Sequence, residues 1–169
     1  MTKEESSKRI QISKYFFYKL NEIQNKLQEK EKELENFINK YGPAGYKIDL
    51  SFKKISVQEN KINNSAEILF SDFEEKINNL NLEIKKIREF YYKNQSIAFK
   101  LVFKVKNFIE QCMLLCLFLL KFEKSYIKQK LKIKTNKDFD SVLNNALISF
   151  SAILESEFNE FKKNGIVKR

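Results

Sequence analysis

Apolar residues recur along this chain at alternating steps of four and three, the spacing of one buried face on a long helix. Phe16, Leu20, Ile23, Leu27, Lys30, Leu34, Phe37 and Tyr41 fill the a and d positions of successive heptads, with Lys30 as the one misfit. After a cluster of chain breakers, KYGPAGYKIDL, the same spacing returns at Phe70, Phe73, Ile77, Leu80, Ile84, Ile87 and Tyr91. Two stripes of similar length predict two amphipathic helices folded back on each other, a coiled-coil-like antiparallel hairpin over residues 1–95. Pairing with a second copy satisfies the same pattern. Phe16, Leu20, Ile23, Leu27, Leu34, Ile77, Leu80 and Ile84 are therefore the candidate partner or oligomer interface, with plain core packing as the other reading.

Between and after the stripes the pattern is mixed. Ile48, Leu50 and Phe52 alternate as a strand would, and so do Phe99, Leu101, Phe103 and Val105, which leaves a minor two-stranded ribbon open. Helical spacing also fits the second stretch, because Ala98, Val102, Val105 and Ile109 share a face that runs into the apolar segment beyond; a helix over 96–122 is the favoured expectation. Ser56 and Glu59 have the spacing of a capping box that would open the second stripe, with Asn63, Asn64 and Ser65 as competing starts. A short helix is expected over 124–131. A last one is expected over 137–163, with Phe139, Leu143, Ala146, Phe150 and Ile153 on one face and Gly165 at its C-terminal cap. The expected fold is all-α, with the hairpin packed with or followed by a small basic helical part at 96–169.

The stretch QCMLLCLFLLKFEK is the most apolar in the chain and holds both cysteines. Its uninterrupted apolar run covers only residues 112–120, whereas a membrane-spanning helix needs about 20 residues. Lysines 100, 104 and 106 and Glu110 precede it, each costly in hydrocarbon, so no membrane span is expected and the chain reads as cytoplasmic. Cys112 and Cys116 lie four apart on one helix face, but two thiols alone make a poor metal site. They read as small core residues.

Composition narrows the chemistry. Three glycines and one proline suit helices, and 43% hydrophobic residues suffice for a core. Histidine is absent, which removes the usual general base and the commonest zinc ligand together. The glycines, at 42, 45 and 165, form no phosphate loop. The expectation is a protein that is not an enzyme and takes no cofactor and no metal.

Charge supplies the functional hint. Residues 97–137 contain ten lysines against Glu110 and Glu123, and so carry +8 of the chain's net +10. Cations clustered on one segment suit a phosphate-binding surface, since each neutralised phosphate releases counterions. Lys124, Lys128, Lys130, Lys132, Lys134 and Lys137 are the candidate nucleic-acid contacts. A solvated lysine face is the competing reading.

The segments SAEILFSDFEEKINNLNLEIKKI and IEQCMLLCLFLLKFEKSYIKQKLKIKTNKDFDSVLNNALISF together resemble, in the spacing of their apolar positions, phage late-gene transcription regulators of the ArpU and RinA type. The resemblance covers about the last 100 residues and rests on Ile127, Leu131, Phe139, Val142, Ala146 and Leu147 in the apolar slots of a sigma-region-4-like helix-turn-helix. It implies a recognition helix starting near Asn136, with Asn136, Lys137, Asp140 and Asn144 near bases and Lys128, Lys130, Lys132 and Lys134 on phosphates. Two positions depart from the family pattern: Lys128 stands where a small alanine is usual, and Lys132 where glycine is common. The expected function is thus a small basic nucleic-acid-binding protein, in the manner of a phage or mobile-element transcription regulator. The alternative is a helical protein–protein interaction module: an oligomeric structural part, an adaptor or an inhibitor of a nucleic-acid-handling protein.

Overall fold

A computed structural model of the chain describes residues 2–42 and 64–163. Its elements are α1 (Lys3–Tyr41), α2 (Asn64–Phe103), α3 (Phe108–Leu114), a π-helical segment (Leu115–Leu119), α4 (Lys124–Lys130) and α5 (Asn136–Lys163). The fold is all-α, with no strand among the described residues. The chain divides into two compact units, one of residues 23–90 and one of residues 1–22 together with 91–169. This division differs from the expected parts at 1–95 and 96–169, because the first 22 residues group with the C-terminal helices.

The hairpin unit, residues 23–90, pairs the second half of α1 with the first half of α2. Its contacts run antiparallel: Arg88 with Glu31 at 2.6 Å, Lys30 with Glu83 at 3.2 Å, and Phe37 stacked on Phe73 at 5.4 Å between ring centroids. Leu27, Leu34, Ile38, Phe73, Ile77, Leu80 and Ile84 are buried along its seam. Each fully buried side chain of this size contributes about 1.5–3 kcal/mol before the entropy of ordering is counted. Lys30, the misfit in the heptad pattern, is half-buried at this seam and bonds Glu33 at 2.8 Å as well as Glu83. Its hydrogen bond to Glu33, with the one to Glu83, raises its pKa above the ordinary lysine value. Gly42 closes α1 by donating to Ile38 O at 2.7 Å, and a Cβ there would come within 2.5 Å of the same oxygen.

In the second unit, called here the basic unit, residues 3–22 of α1 run antiparallel to α5. Arg9 meets Glu155 at 3.6 Å, the buried Ser13 hydroxyl donates to Leu147 O at 2.7 Å, and Phe17 packs on Phe150 at 4.8 Å. Phe17 also stacks on Phe118 of the π-helical segment at 4.3 Å. The apolar run answers to a core: Met113, Leu114 and Leu119 are buried, and Cys112 and Cys116 half-buried. Met113, Ile127 and Phe139 bring α3, α4 and α5 onto one cluster, with Cys116, Leu117, Leu131, Ile133, Val142 and Leu143 packed around it.

Three expectations meet corrections here. The ribbon stretch Phe99, Leu101, Phe103 and Val105 is not a strand: its first three residues are helical, because Ala98, Leu101, Val102 and Val105 form a buried face at helical spacing. The other stretch, Ile48, Leu50 and Phe52, lies outside the described residues, as do the Ser56–Glu59 box and Gly165. The single helix over 96–122 is instead the end of α2, then α3 and the π-helical segment. Lys104 N–H donates to Leu101 O and Val105 N–H to Val102 O, tightening the end of α2, and Asn107 then starts α3 by accepting from Ile109 N–H at 3.0 Å and Glu110 N–H at 3.3 Å. Because of that break Ile109 is exposed, off the face that Ala98, Val102 and Val105 share. Finally, the expected stripe residue Phe16 faces α5, meeting Phe150 at 5.4 Å.

Candidate nucleic-acid interface

The six candidate lysines all lie on one helix–turn–helix of the basic unit. Lys124, Lys128 and Lys130 are on α4, Lys132 and Lys134 in the turn, and Lys137 in the first turn of α5. A specific termination holds the turn. Lys132 takes a left-handed backbone conformation (φ 55°), its N–H donates to Gln129 O at 3.3 Å, and the Ile133 N–H donates back to Lys128 O at 2.9 Å. This is the Schellman arrangement, in which glycine normally holds the left-handed position. Lysine there costs about 1–2 kcal/mol in backbone sterics. Packing of Leu131 and Ile133 against the Met113–Ile127–Phe139 cluster offsets that cost.

Thr135 then opens α5. Its Oγ1 accepts from the Asp138 N–H at 3.0 Å, while its hydroxyl donates to Asp138 Oδ2 at 2.7 Å. Asp138 is thus a first-turn acid bound to the cap, placed where the helix dipole favours negative charge. Ile127, Phe139, Ala146 and Leu147 are buried, and Leu131 and Val142 partly so. Asn136, Lys137, Asp140 and Asn144 are exposed.

The lysines are not equivalent. The Lys124 ammonium sits 4.6 Å from the Phe139 ring centroid and pairs with Asp140 at 3.1 Å. Lys128, half-buried, donates to Asn136 Oδ1 at 3.1 Å. Both tie α4 to the first turns of α5. Lys130 lies 5.5 Å from the Tyr126 ring centroid, and Lys132, Lys134 and Lys137 are exposed. The side chains most available to an incoming anion are therefore those at residues 130–137.

Three further residues at this surface escape the apolar spacing. Lys121 also holds a left-handed conformation (φ 58°), ends the π-helical segment, and donates to Asn21 Oδ1 at 2.9 Å. Partial burial pulls its ammonium below the ordinary lysine pKa. Phe122 and Tyr126 are exposed with ring centroids 5.0 Å apart. An aromatic pair four apart among lysines, FEKSY, was the available signal.

The candidate partner interface is placed differently. Leu20, Leu27, Leu34, Ile77, Leu80 and Ile84 are buried within the single chain, and Phe16 and Ile23 are half-buried. Six of these eight side chains are thus already buried within a single chain.

Other chemistry is sparse. Burial raises the thiol pKa of Cys112 and of Cys116, the latter also through its neighbour Cys112, which keeps both as neutral thiols near pH 7. Among the described residues there is no group of three or more acids or cysteines able to hold a metal ion. No described helix is long and apolar enough to cross a membrane. No family model, curated protein or solved structure matches the chain. The reading of this surface rests on its geometry and charge.

Proposed function

We propose that the protein binds nucleic acid through the α4–turn–α5 surface of the basic unit, with Lys130, Lys132, Lys134 and Lys137 neutralising phosphates. One observation carries this reading: an ordered helix–turn–helix presents six lysines within residues 124–137 and includes no acid in that stretch. A flexible lysine tail would bring comparable charge, but here Leu131, Ile133 and Phe139 anchor the turn to the core and hold the cations in fixed register. The work of a transcription regulator, suggested by the resemblance to phage late-gene regulators, is compatible with such a surface. Affinity from phosphates alone carries no sequence preference, so any specificity would have to come from Asn136, Asp140 and Asn144 on the exposed side of α5.

The protein–protein alternative has one supporting feature. Ile12, Tyr15 and Tyr18 are exposed on the part of α1 that turns Ser13 and Phe17 inward. Lys19 lies 5.6 Å from the Tyr15 ring centroid and pairs with Glu22 at 2.8 Å, so this face mixes aromatic rings with a paired charge, and it stands as the second reading.

The test is the quadruple variant Lys128→Ala, Lys130→Ala, Lys132→Ala, Lys134→Ala, measured by fluorescence anisotropy against labelled DNA and RNA over a salt series. Binding is expected to collapse at moderate salt. The slope of log affinity against log salt should flatten by about 2–3, from the loss of Lys130, Lys132 and Lys134, three of the four proposed phosphate contacts, at ~0.7–0.9 each. Wild-type affinity and slope in the variant would remove the proposal.

A further inference from the structure

We infer that the nucleic acid taken by this surface is single-stranded, and that Phe122 and Tyr126 are the platform on which its unpaired bases stack. The inference rests on the nucleic-acid reading above and adds the class of strand. Phe122 and Tyr126 are 41% and 43% exposed, while Phe139 and Phe150 in the same unit are almost wholly buried, at 2% and 0%. The two exposed rings meet edge to face, with centroids 5.0 Å apart and planes inclined by 61°, so the pair is held in a defined attitude.

Cations flank the rings. Lys130 places its ammonium 5.5 Å from the Tyr126 centroid, and Lys121 and Lys124 stand on either side of Phe122 in the chain. An incoming base can take the place over Tyr126 that the Lys130 ammonium holds, and the ammonium then turns to the adjoining phosphate. Aromatic faces alternating with lysines are what binding of unpaired strands requires, because every base offers a π-face whatever its sequence. Glu123 follows Phe122 in the chain, and its carboxylate accepts from the Ser125 hydroxyl at 3.4 Å.

The α5 entrance, by contrast, is poorly suited to a duplex groove. Asp138 and Asp140 sit in its first turns, and Lys124 and Lys128 are already committed to Asp140 and Asn136. Two carboxylates brought toward two phosphate backbones would repel them. A single strand laid along α4 and the turn meets Lys130, Lys132 and Lys134 without entering that region.

The experiment compares a labelled oligothymidylate with a labelled duplex of equal length, using the full chain, the double variant Phe122→Ala, Tyr126→Ala, and the conservative variant Tyr126→Phe. Both positions are exposed, and circular dichroism checks that the helices persist. The wild type is expected to favour the single strand. The double variant should bind it about 10- to 100-fold more weakly with duplex affinity unchanged, and Tyr126→Phe should restore single-strand binding. Unchanged single-strand affinity in the double variant, or a wild type that favours the duplex, overturns the inference while the nucleic-acid reading survives. Failure of the wild type to bind either probe overturns both, and binding to phosphatidylserine vesicles in that case would assign the aromatic–lysine surface to a lipid headgroup layer.

Discussion

The hairpin unit and the basic unit draw on the same two long helices and use their polar groups in different ways. In the hairpin unit, a single stripe from Leu27 to Ile38 on α1 meets one from Phe73 to Ile84 on α2, and charged residues such as Arg88 and Glu31 pair across the flanks. In the basic unit the backbone itself is irregular: Lys121 and Lys132 hold left-handed conformations, a π-helical segment interrupts the apolar run, and side chains from Asn107 and Thr135 cap helices. Regular packing is enough to keep two helices together. The turns that place a row of lysines and two exposed aromatic rings are costlier to build, and proteins concentrate such irregular conformations where they serve a function.

The comparison breaks most sharply under core truncation. Phe139→Ala should cost about 3–5 kcal/mol and Leu80→Ala about 2–5 kcal/mol, both read by thermal unfolding. Binding separates them. At temperatures where both variants remain folded, Phe139→Ala should lose nucleic-acid affinity because its ring supports Lys124 and the start of α5, whereas Leu80→Ala should keep it. Equal loss of binding in both would erase the distinction between the units.

A smaller and opposite effect is expected at the turn. Lys132→Gly should raise stability by about 1 kcal/mol, since glycine enters the left-handed conformation without the Cβ penalty. The same change removes one cation and should lower the salt slope of binding by about 0.7–0.9. A fall in melting temperature would contradict the Schellman reading of this turn. The smallest effect belongs to the hairpin: Arg88→Ala should cost no more than about 1 kcal/mol, the ordinary worth of a partly exposed ion pair, and leave binding unchanged.

Much of this architecture was legible in the sequence, for physical reasons that differ by element. The stripes at Leu27, Leu34, Ile77, Leu80 and Ile84 were visible because one face of a long helix imposes its period on the sequence. The bounds of α4 and α5 were visible too, since the breaks fall where apolar spacing gives way to lysines and polar caps. The start of α3 was signalled by Asn107 with Glu110 three residues on, the polar spacing of an N-terminal cap, but continuous apolar spacing across the break masked it. The pairing of residues 9–17 with α5 was not legible. Ser13 carries no apolar signal, and its bond to Leu147 O links residues 134 apart in the chain, a relation that local period cannot express. The π-helical segment lies in an apolar run with no period to read. At the candidate site the lysines were found from charge alone. Which of them are held by Asp140 and Asn136, and that Phe122 and Tyr126 stay exposed, depend on tertiary packing.

The most direct measurement is hydrogen–deuterium exchange by mass spectrometry on the full chain, with and without saturating oligothymidylate. The expected result is slowed exchange in peptides covering 121–137, with no change in those covering 23–42 and 71–90. Protection in the hairpin peptides with none over 121–137 would contradict the assignment of binding to the basic unit and move the search for function to the helical hairpin.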